Sequence, residues 1–310
     1  MIGIEAIGTY IPEKRIDNLA RMQNFGVDEV FLRSKTGMLN LAVKDDEEDT
    51  SDLCMSAFSD LQSKVSFEMA EIDCLVVCTQ NPDGHGLPHT SAIVHGKLGL
   101  PTSCAVFDIS LGCSGFVYGL SVIQGFMLAN GFQKGLLFTA DPYSKIVDDK
   151  DKNTSLLFGD AATVSLISDT PRWKTGKFLF GSQGAENEAI KVQSESGKLD
   201  MNGRGVFSFT ATVVPNHIRD MLKMNDLIVE DIDLFALHQG SRFIVDTLQK
   251  RLGLEAAKVP FVAENYGNTV SSSIPLILSA LSGHERKIVI SAFGVGLSWA
   301  STVLFNQGEK

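Results

Sequence analysis

The sequence lacks an excess of basic residues, a long apolar run and a low-complexity segment. Its 27 lysines and arginines are outnumbered by 37 aspartates and glutamates, which gives a formal net charge of −10. This balance disfavours a nucleic-acid partner, because phosphate contacts need clustered lysines and arginines. No stretch approaches the roughly 18 apolar residues of a membrane span, and the first residues lack the basic start and apolar run of a signal peptide. We therefore expect a cytoplasmic protein with neither a nucleic-acid nor a membrane partner.

The chain also lacks cysteine or histidine spacings that indicate a metal site or a disulfide framework. Reduced thiols suit a cytoplasmic protein. The apolar run DCLVVC contains two of the thiols and reads as a buried strand, and no second cysteine pair stands at a metal-ligand spacing. Three histidines around Gly86 have no carboxylate or cysteine at a suitable spacing, so we predict no metal site. The five cysteines are Cys54, Cys74, Cys78, Cys104 and Cys113.

Short apolar runs alternate with amphipathic segments along the whole chain. Strand alternating with helix indicates an α/β fold with buried sheets. Among the clearest predicted elements are strands at 105–109 and 176–181 and helices at 114–130 and 207–223.

A weak internal repeat divides the chain into two halves. In VFDISLGCSGF and again in LFALHQGSRF, an apolar strand runs into a polar or thiol-bearing turn and then into a helix. The segment 168–177, with Pro171 and Gly176, connects the halves, and no Pro/Ser-rich linker separates them. We therefore predict an N-terminal half, residues 1–168, and a C-terminal half, residues 169–310, that pack as one body.

Cys113 is the first candidate for chemistry. It is the second residue of GCSG, between the strand at 105–109 and an apolar helix. Glycines on either side allow a tight turn and the approach of a substrate, and a helix N-terminus stabilises a thiolate. A buried inert thiol is the ordinary alternative. The motif is not a hydrolase elbow, because Phe116 occupies the last glycine position of G-x-S-x-G.

His238 and Asn268 complete a set with Cys113. His238 ends the apolar run 234–237 before a polar turn, and Asn268 lies in YGNT. Each of them alone is more often a structural residue. Together, in this chain order, the three side chains supply a nucleophile, an imidazole and an amide donor, which suits acyl transfer through a thioester.

A glycine loop follows the apolar run 287–290. In AFGVGLSW, Gly294, Val295 and Gly296 resemble the start of a dinucleotide loop, but Trp299 stands where the third glycine should be and a strand-like run follows. A loop that exposes backbone N–H groups near a nucleophile is typical of an oxyanion hole. We therefore predict an oxyanion loop at 294–296.

These four elements, in this order, resemble those of ketoacyl-ACP synthase III, a condensing enzyme of the thiolase superfamily (ACP, acyl carrier protein). The family's cysteine loop is similar to DISLGCSGFVYGL, its histidine element to ALHQGS, its asparagine element to NYGNTVSSSIPLIL and its glycine loop to SAFGVGLSWAS. The segments GTYIPEK, KTGM, LFGDAATV and MNGRGVF match as well. The matching segments run from Gly8 to Ser301, so the resemblance covers nearly the whole chain.

The resemblance implies a duplicated α/β thiolase fold with five alternating layers, αβαβα, normally in a homodimer. It implies that Cys113 accepts an acyl group from acyl-CoA, and that His238 and Asn268 hydrogen-bond the thioester oxygen of malonyl-ACP as CO2 leaves. The carbanion then attacks acyl-Cys113 to give 3-oxoacyl-ACP, while the N–H of Cys113 and an N–H of the 294–296 loop hold the oxyanion. Coenzyme A is a substrate carrier here, and no metal or organic cofactor is needed.

Some positions depart from the family's pattern at the coenzyme and acyl-chain contacts. The aromatic and the arginine beside the coenzyme adenine are matched by Phe31 and Lys35, and lysine lacks the planar stacking surface of arginine. Leu87 matches the gate of the acyl pocket that the dimer partner supplies, a position usually held by a bulky aromatic. Val295 stands where a glycine is common.

Two further departures lie in the histidine element. The usual HQAN is HQGS here, so Ser241 replaces an asparagine, and Arg242 precedes Phe243 where a basic residue is expected on the carrier-docking helix. Because the departures cluster at substrate contacts while Cys113, His238 and Asn268 remain, we hypothesise a specialised, pathway-associated paralogue with an altered donor or acceptor.

Two other functions remain open at this point. Cys113 could pass its acyl group to a hydroxyl, an amine or another non-malonyl acceptor, as relatives in the family do. The chain could instead be a non-catalytic partner subunit of a condensing heterodimer, although the retention of all three polar residues argues against that. The sequence does not identify the acyl length, the acceptor, the pathway or the carrier.

Overall fold

The computed structural model describes residues 2–308, so Met1, Glu309 and Lys310 at the ends of the two predicted halves lie outside the described residues. The strands within that range are β1 (Gly3–Tyr10), β2 (Arg15–Asp17), β3 (Asn40–Ala42), β4 (Cys74–Cys78), β5 (Ala105–Ile109), β6 (Lys134–Ala140), β7 (Ala162–Ser168), β8 (Trp173–Thr175), β9 (Leu179–Ser182), β10 (Ile190–Val192), β11 (Leu199–Met201), β12 (Leu234–Leu237), β13 (Lys287–Gly294) and β14 (Ser298–Asn306). The α-helices are α1 (Met22–Phe25), α2 (Glu29–Phe31), α3 (Thr50–Lys64), α4 (Thr90–Leu98), α5 (Gly115–Asn130), α6 (Lys152–Ser155), α7 (Gly203–Met224), α8 (Arg242–Leu252) and α9 (Ser273–Ser279).

Side-chain caps set where the main helices begin. The side chains of Asp49, Asn202 and Ser241 accept backbone N–H bonds at the starts of α3, α7 and α8, which satisfies donors that the first turn leaves free. Gly131 and Gly253 end α5 and α8 in the left-handed conformation, at φ 69° and 71°, which glycine adopts without a steric penalty. None of the helices within residues 2–308 is long and apolar enough to cross a membrane.

The main sheet is mixed. Its strand order is β12-β13-β14-β8-β1-β7-β6-β4-β5, and β9 also pairs with β14. The pairs β4–β5, β4–β6 and β12–β13 are parallel, whereas β1–β7, β6–β7 and β13–β14 are antiparallel. The short strand β8 joins two groups of strands, because Trp173 pairs with Ile4 of β1 and Thr175 pairs with Leu304 of β14.

Alternating side chains on these two strand groups arrange the helices in layers. On β4, Leu75 and Val77 pack against α3 and α4, while Val76 faces α5 and α9 on the other side. On β13, Val289 packs against α7 and α8, while Ile290 faces α5 and α9. The layers therefore follow the order helices, strands, helices, strands, helices. This order confirms the predicted five-layered α/β thiolase architecture.

The two layers of strands share α5 and α9 as their common core. This placement brings the start of α5 close to the ends of β12 and β13, which belong to the other strand group. The division into residues 1–168 and 169–310 remains our proposal, with its boundary at the end of β7. Strands of both groups thus end near the start of α5.

Candidate active site

Cys113 lies in the turn between β5 and α5, with Ser114 as the N-cap of the helix. Its side chain is only 7% exposed. A Cβ on Gly115 would lie 2.2 Å from the Sγ of Cys78, so a larger residue there would collide with the core. The glycine after the Cys-Ser pair lets α5 begin directly against β4 and fixes where the thiol stands.

The glycine loop packs on the thiol. A Cβ on Gly294 would lie 2.6 Å from the Cβ and 2.7 Å from the Sγ of Cys113, which is closer than van der Waals contact allows. The backbone N–H of Val295 and that of Cys113 itself both act to lower the pKa of the thiol, so both lie near the Sγ. Two converging N–H donors beside a nucleophile are the arrangement that an oxyanion hole needs.

Burial dominates the acidity of this thiol. It raises the pKa of Cys113 to about 12, the N–H of Val295 opposes it, and the carboxylate of Asp141 adds a smaller upward contribution. The stabilisation of a thiolate that we expected from the helix N-terminus is therefore outweighed by desolvation. In the resting protein Cys113 is a thiol at neutral pH.

Two serine hydroxyls connect the loop to α5. Ser298 donates a 2.9 Å hydrogen bond to the carbonyl of Val295. Because that bond uses the proton of Ser298, its oxygen accepts the 2.7 Å bond from the hydroxyl of Ser114. This chain of hydrogen bonds holds the N–H of Val295 in position over the thiol.

His238 follows the last residue of β12. Its backbone N–H donates to the carbonyl of Ser291 on β13 at 3.0 Å, so the parallel strand pair continues to the residue that carries the imidazole. Burial lowers the pKa of His238 to about 3, and the ring is neutral at physiological pH. Nδ1 lies 2.8 Å from the hydroxyl of Ser273. With that hydroxyl as donor, Nε2 carries the proton and is itself a donor.

Asn268 is fixed at both its backbone and its side chain. Its N–H donates to Leu157 and its carbonyl accepts from Gly159, at 2.8 and 3.0 Å. Its Oδ1 accepts from the N–H of Val270 at 3.0 Å. The amide Nδ2 is thereby the group of this side chain that remains to donate to a ligand.

Cys113, His238 and Asn268 line one cavity of about 630 Å³. Gly294 lies on the same wall, next to the thiol. A thiol, two neutral donors and two backbone N–H groups can together carry an acyl group and stabilise negative charge on a thioester oxygen. Nowhere within residues 2–308 do three or more His, Cys, Asp or Glu side chains form a group that could hold a metal ion.

Comparison with known proteins agrees with this geometry. The family model for 3-oxoacyl-(acyl-carrier-protein) synthase III matches residues 107–184, and the model for the C-terminal part of the same family matches residues 222–305. The beta-ketoacyl-(acyl-carrier-protein) synthase III of Lactococcus lactis subsp. cremoris (strain MG1363) is 30% identical over 95% of this chain and 96% of its own. The chain belongs to the ketoacyl-ACP synthase III family.

Solved structures of similar proteins extend over the whole fold. The ketoacyl-ACP synthase III from Thermus thermophilus has a TM-score of 0.90 at 30% identity and covers 99% of this chain and 100% of its own. The priming beta-ketosynthase from the R1128 polyketide biosynthetic pathway has a TM-score of 0.89 at 26% identity and covers 100% and 97%. The thiolase fold of this ketoacyl-ACP synthase III family member is thus shared with both enzymes.

Three of the residues predicted to bind substrate line the cavity. They are Phe31, Lys35 and Ser241. The ammonium of Lys35 lies 3.7 Å from the ring centroid of Phe243, a cation–π contact. Ser241 caps α8 by accepting the N–H of Ile244 at 3.3 Å, so its hydroxyl also has a structural role.

The other two predicted substrate residues lie elsewhere. The guanidinium of Arg242 stacks on Phe261 at 4.0 Å from the ring centroid and is not on the cavity wall. Leu87 is 93% exposed on the loop between β4 and α4, away from the cavity of its own chain. Its assignment as a gate for the dimer partner stays a prediction.

Sequence reasoning missed three residues around the thiol and the imidazole. Ser273 positions His238, Ser298 holds the glycine loop, and the buried ring of Tyr143 packs in the same cluster as Cys113. Both serines lie within segments that the sequence analysis highlighted, NTVSSSIP and FGVGLS. The position of Tyr143 has no comparable signal, because it depends on contacts between distant segments.

Proposed function

We propose that the chain is an acyltransferase that forms an acyl-Cys113 thioester from acyl-CoA and condenses it with malonyl-ACP, with loss of CO2, to 3-oxoacyl-ACP. The observation that carries the proposal is the convergence of Cys113, His238 and Asn268 on one cavity, near the backbone N–H groups of Val295 and Cys113. The printed names of the relatives support the reaction type and the carrier.

In the acylation step the thiol of Cys113 attacks the carbonyl carbon of acyl-CoA. The N–H groups of Val295 and Cys113 stabilise the oxyanion of the tetrahedral intermediate. The carbon–sulfur bond to the coenzyme then breaks, and the proton of the Cys113 thiol ends on the departing coenzyme sulfur. Because the resting thiol has a high pKa, it loses its proton only as the new bond forms.

In the condensation step the malonyl thioester oxygen faces two neutral donors. Nε2 of His238 and Nδ2 of Asn268 donate to this oxygen as the bond to the carboxylate breaks and negative charge moves onto it. The enolate carbon attacks the acyl carbonyl, the bond to Sγ breaks, and the released thiolate takes a proton from solvent. One CO2 leaves and one proton is consumed per turnover.

A homodimer is part of the proposal. β5 is the edge strand of the main sheet, all its residues are half-buried, and Phe107 packs edge-on against Phe126 with ring centroids 5.3 Å apart. An edge strand with exposed backbone groups and mostly apolar side chains is suited to pairing with a second copy. Sedimentation analysis of the protein and of Phe107→Asp tests this, because a charge at the edge should shift a dimer towards monomers.

We also propose a cytoplasmic, pathway-associated enzyme rather than the housekeeping initiator of fatty acid synthesis. All five cysteines are free thiols, which supports a reducing compartment. Structural similarity to a priming ketosynthase of a polyketide pathway supports a specialised role. A sharp preference for acetyl-CoA with malonyl-ACP in donor profiling would contradict the specialised role.

Intact-mass spectrometry with a panel of acyl-CoA and acyl-ACP donors tests the proposed function. We expect one acyl adduct on the native protein that malonyl-ACP discharges with release of CO2. Cys113→Ala should form no adduct. Cys104→Ala is the matched control, since Cys104 is also 7% exposed but lies in a different core cluster, and it should behave as the native protein.

The other outcomes of the same experiment separate the alternatives. An adduct that malonyl-ACP leaves intact, but that a hydroxyl or amine acceptor discharges, would replace condensation by simple acyl transfer. The lack of an adduct with every donor would contradict both activities and favour a non-catalytic partner subunit.

A further inference from the structure

The segment that follows Asn268 turns through a left-handed residue. Val270 has φ 53°, a conformation that a β-branched residue rarely adopts because its side chain crowds the following carbonyl. Its side chain is fully buried, and its N–H donates to Oδ1 of Asn268 at 3.0 Å. The orientation of the Asn268 amide therefore depends on a backbone conformation that valine does not favour by itself.

Two hydroxyl groups hold this segment, the Val270 turn (Val270–Ser272). Ser271 donates to Oδ2 of Asp141 at 2.7 Å, and Ser272 donates to the carbonyl of Thr139 at 3.1 Å. Thr139 lies in β6 and Asp141 directly follows that strand, so both acceptors are fixed by the other strand group of the main sheet. A conformation that costs free energy persists only where its surroundings enforce it, and these two bonds do so here.

Asp141 provides the stronger of the two bonds. It is fully buried, and its Oδ1 accepts the N–H of Gln80 at 2.7 Å, so the carboxyl group has a fixed orientation. Burial raises the pKa of Asp141 to about 6, which leaves the carboxylate ionised at pH 8. A hydrogen bond to an ionised acceptor is stronger than one to a neutral carbonyl. Asp141 is not among the residues that line the cavity, so it acts on a substrate there only through the groups that it holds.

We infer that Asp141 is a positioning residue for the decarboxylation step, because its bond to Ser271 holds the Val270 turn. That turn aims the amide of Asn268 at the malonyl thioester. The inference rests on the proposed function, in which Nδ2 of Asn268 donates to the thioester oxygen. When the bond between Asp141 and Ser271 is lost, Val270 can relax towards a negative φ. Its N–H then leaves Oδ1 of Asn268, and the amide is free to rotate away from the substrate.

The first step of the reaction does not use this connection. Acylation depends on the thiol of Cys113 and on the N–H groups of Cys113 and Val295, none of which belongs to the Val270 turn. Loss of the bond should therefore slow the release of CO2 without slowing acylation. A general loss of stability would affect both steps, so the ratio of the two rates identifies a positioning role.

The test measures the two steps separately, at pH 8, in the full-length protein. Acylation of Cys113 is followed by intact mass. Release of CO2 is measured after malonyl-ACP is added to protein that already carries the acyl group. Ser271→Ala should slow CO2 release by about tenfold or more, the scale expected for the loss of a hydrogen bond to a charged group. Its acylation should not become slower.

Asp141→Asn replaces the charged acceptor by a neutral group of the same shape. It should show the same selective loss to a smaller degree, and it serves as the test if Ser271→Ala does not fold. The double variant should lose little more than Ser271→Ala alone, because both changes act on one bond. Ser165→Ala is the matched control, since Ser165 is fully buried and its hydroxyl has no hydrogen-bond partner within residues 2–308. Both steps should be native in this control.

The outcomes distinguish this inference from the proposed function. Native CO2 release in both Ser271→Ala and Asp141→Asn would overturn the role of Asp141 while the proposed function stands. Equal losses in the two steps, or additive losses in the double variant, would overturn it as well. A native protein that forms no acyl adduct, or an adduct that malonyl-ACP does not discharge, would overturn the proposed function and this inference together.

Discussion

Gly294 and Cys113 are in direct contact, and the contact leaves no room for a side chain. The position of a Cβ on Gly294 is 2.7 Å from the Sγ of Cys113. The strand β13 therefore delivers its last residue against a thiol from the other strand group. The next N–H in the loop, that of Val295, is brought close enough to the same sulfur to lower its pKa.

Gly294→Ala should abolish most of the activity without unfolding the protein. The added methyl group must displace either the loop or the thiol, and loss of an oxyanion donor costs about 100-fold to 1000-fold in rate. The rate of Cys113 acylation should fall by about 100-fold or more. It is measured by quenching the reaction at successive times and recording the intact mass.

Gly125→Ala is the matched control for this change. Gly125 lies in α5, and a Cβ there meets no atom within 4 Å, so acylation should be unaffected. A Gly294→Ala variant with native acylation rates would show that the loop does not contact the thiol as described.

The thiol of Cys113 should react slowly with alkylating reagents at neutral pH. Burial raises its pKa to about 12, so the thiolate fraction rises about tenfold per pH unit up to that value. Alkylation by iodoacetamide, followed by mass spectrometry between pH 7 and pH 10, should accelerate throughout without a plateau. Cys113→Ala identifies the signal of the remaining thiols, and a plateau near pH 8 would contradict a raised pKa.

His238 should contribute no inflection near pH 6.5 to the pH dependence of decarboxylation. Burial holds its pKa at about 3, so the ring stays neutral throughout the ordinary working range. The rate of malonyl-dependent CO2 release, measured from pH 5 to pH 8, should therefore show no decrease centred near pH 6.5 from protonation of His238.

The same lowered pKa predicts a dependence of stability on pH. Unfolding exposes His238 and restores its ordinary pKa of 6.5. The unfolded chain therefore binds more protons, and stability present above pH 6.5 is lost as the pH falls towards 3, by at most about 1.4 kcal/mol per pH unit. Urea denaturation at pH 5 and pH 7 should show a smaller difference for His238→Gln than for the native protein. An equal difference in both proteins would mean that the native imidazole titrates normally.

Ser298→Ala should lower the turnover number more than it changes KM. The substitution removes both hydrogen bonds that connect the carbonyl of Val295 to Ser114. Loss of about 0.5–1.5 kcal/mol of hydrogen bonding that positions the oxyanion loop corresponds to a decrease of up to about tenfold in kcat.

Ser301→Ala provides the control on the same strand. Ser301 is fully buried and donates to Ser291 at 2.7 Å, so its loss should reduce stability while leaving kcat close to native. Equal losses of kcat in both variants would assign the effect of Ser298→Ala to general destabilisation.

Local patterns in the sequence were sufficient for the elements that carry the candidate site. The predicted strand at 105–109 is β5, and the predicted helix at 114–130 is α5 to within one residue. Cys113 could be predicted because it stands at a strand–glycine–helix junction. His238 and Asn268 became informative only in combination with it, since each alone resembles an ordinary structural residue.

Two predicted elements have different bounds in the structure, and hydrogen bonds account for both differences. The strand predicted at 176–181 is interrupted: the N–H of Gly176 bonds to Val303 and that of Lys177 to the side chain of Asn225, so β8 ends at Thr175 and β9 starts at Leu179. The helix predicted at 207–223 begins at Gly203, because the side chain of Asn202 caps it. The environments of Arg242 and Tyr143 depend on packing between segments far apart in the chain, which no local pattern records.

The distribution of charge along the cavity has a consequence for a malonyl substrate. Lys35, Lys152 and Arg204 line the cavity and are exposed, whereas the neutral imidazole, amide and thiol at the reacting end are buried. A carboxylate is attracted by these cations, but beside the imidazole, amide and thiol it meets no counter-ion among the side chains that line the cavity. Desolvation without a compensating charge favours departure of that carboxylate as a neutral gas molecule. The contrast between the exposed cations and the neutral reacting end would thus accelerate the loss of CO2, in addition to any single catalytic group.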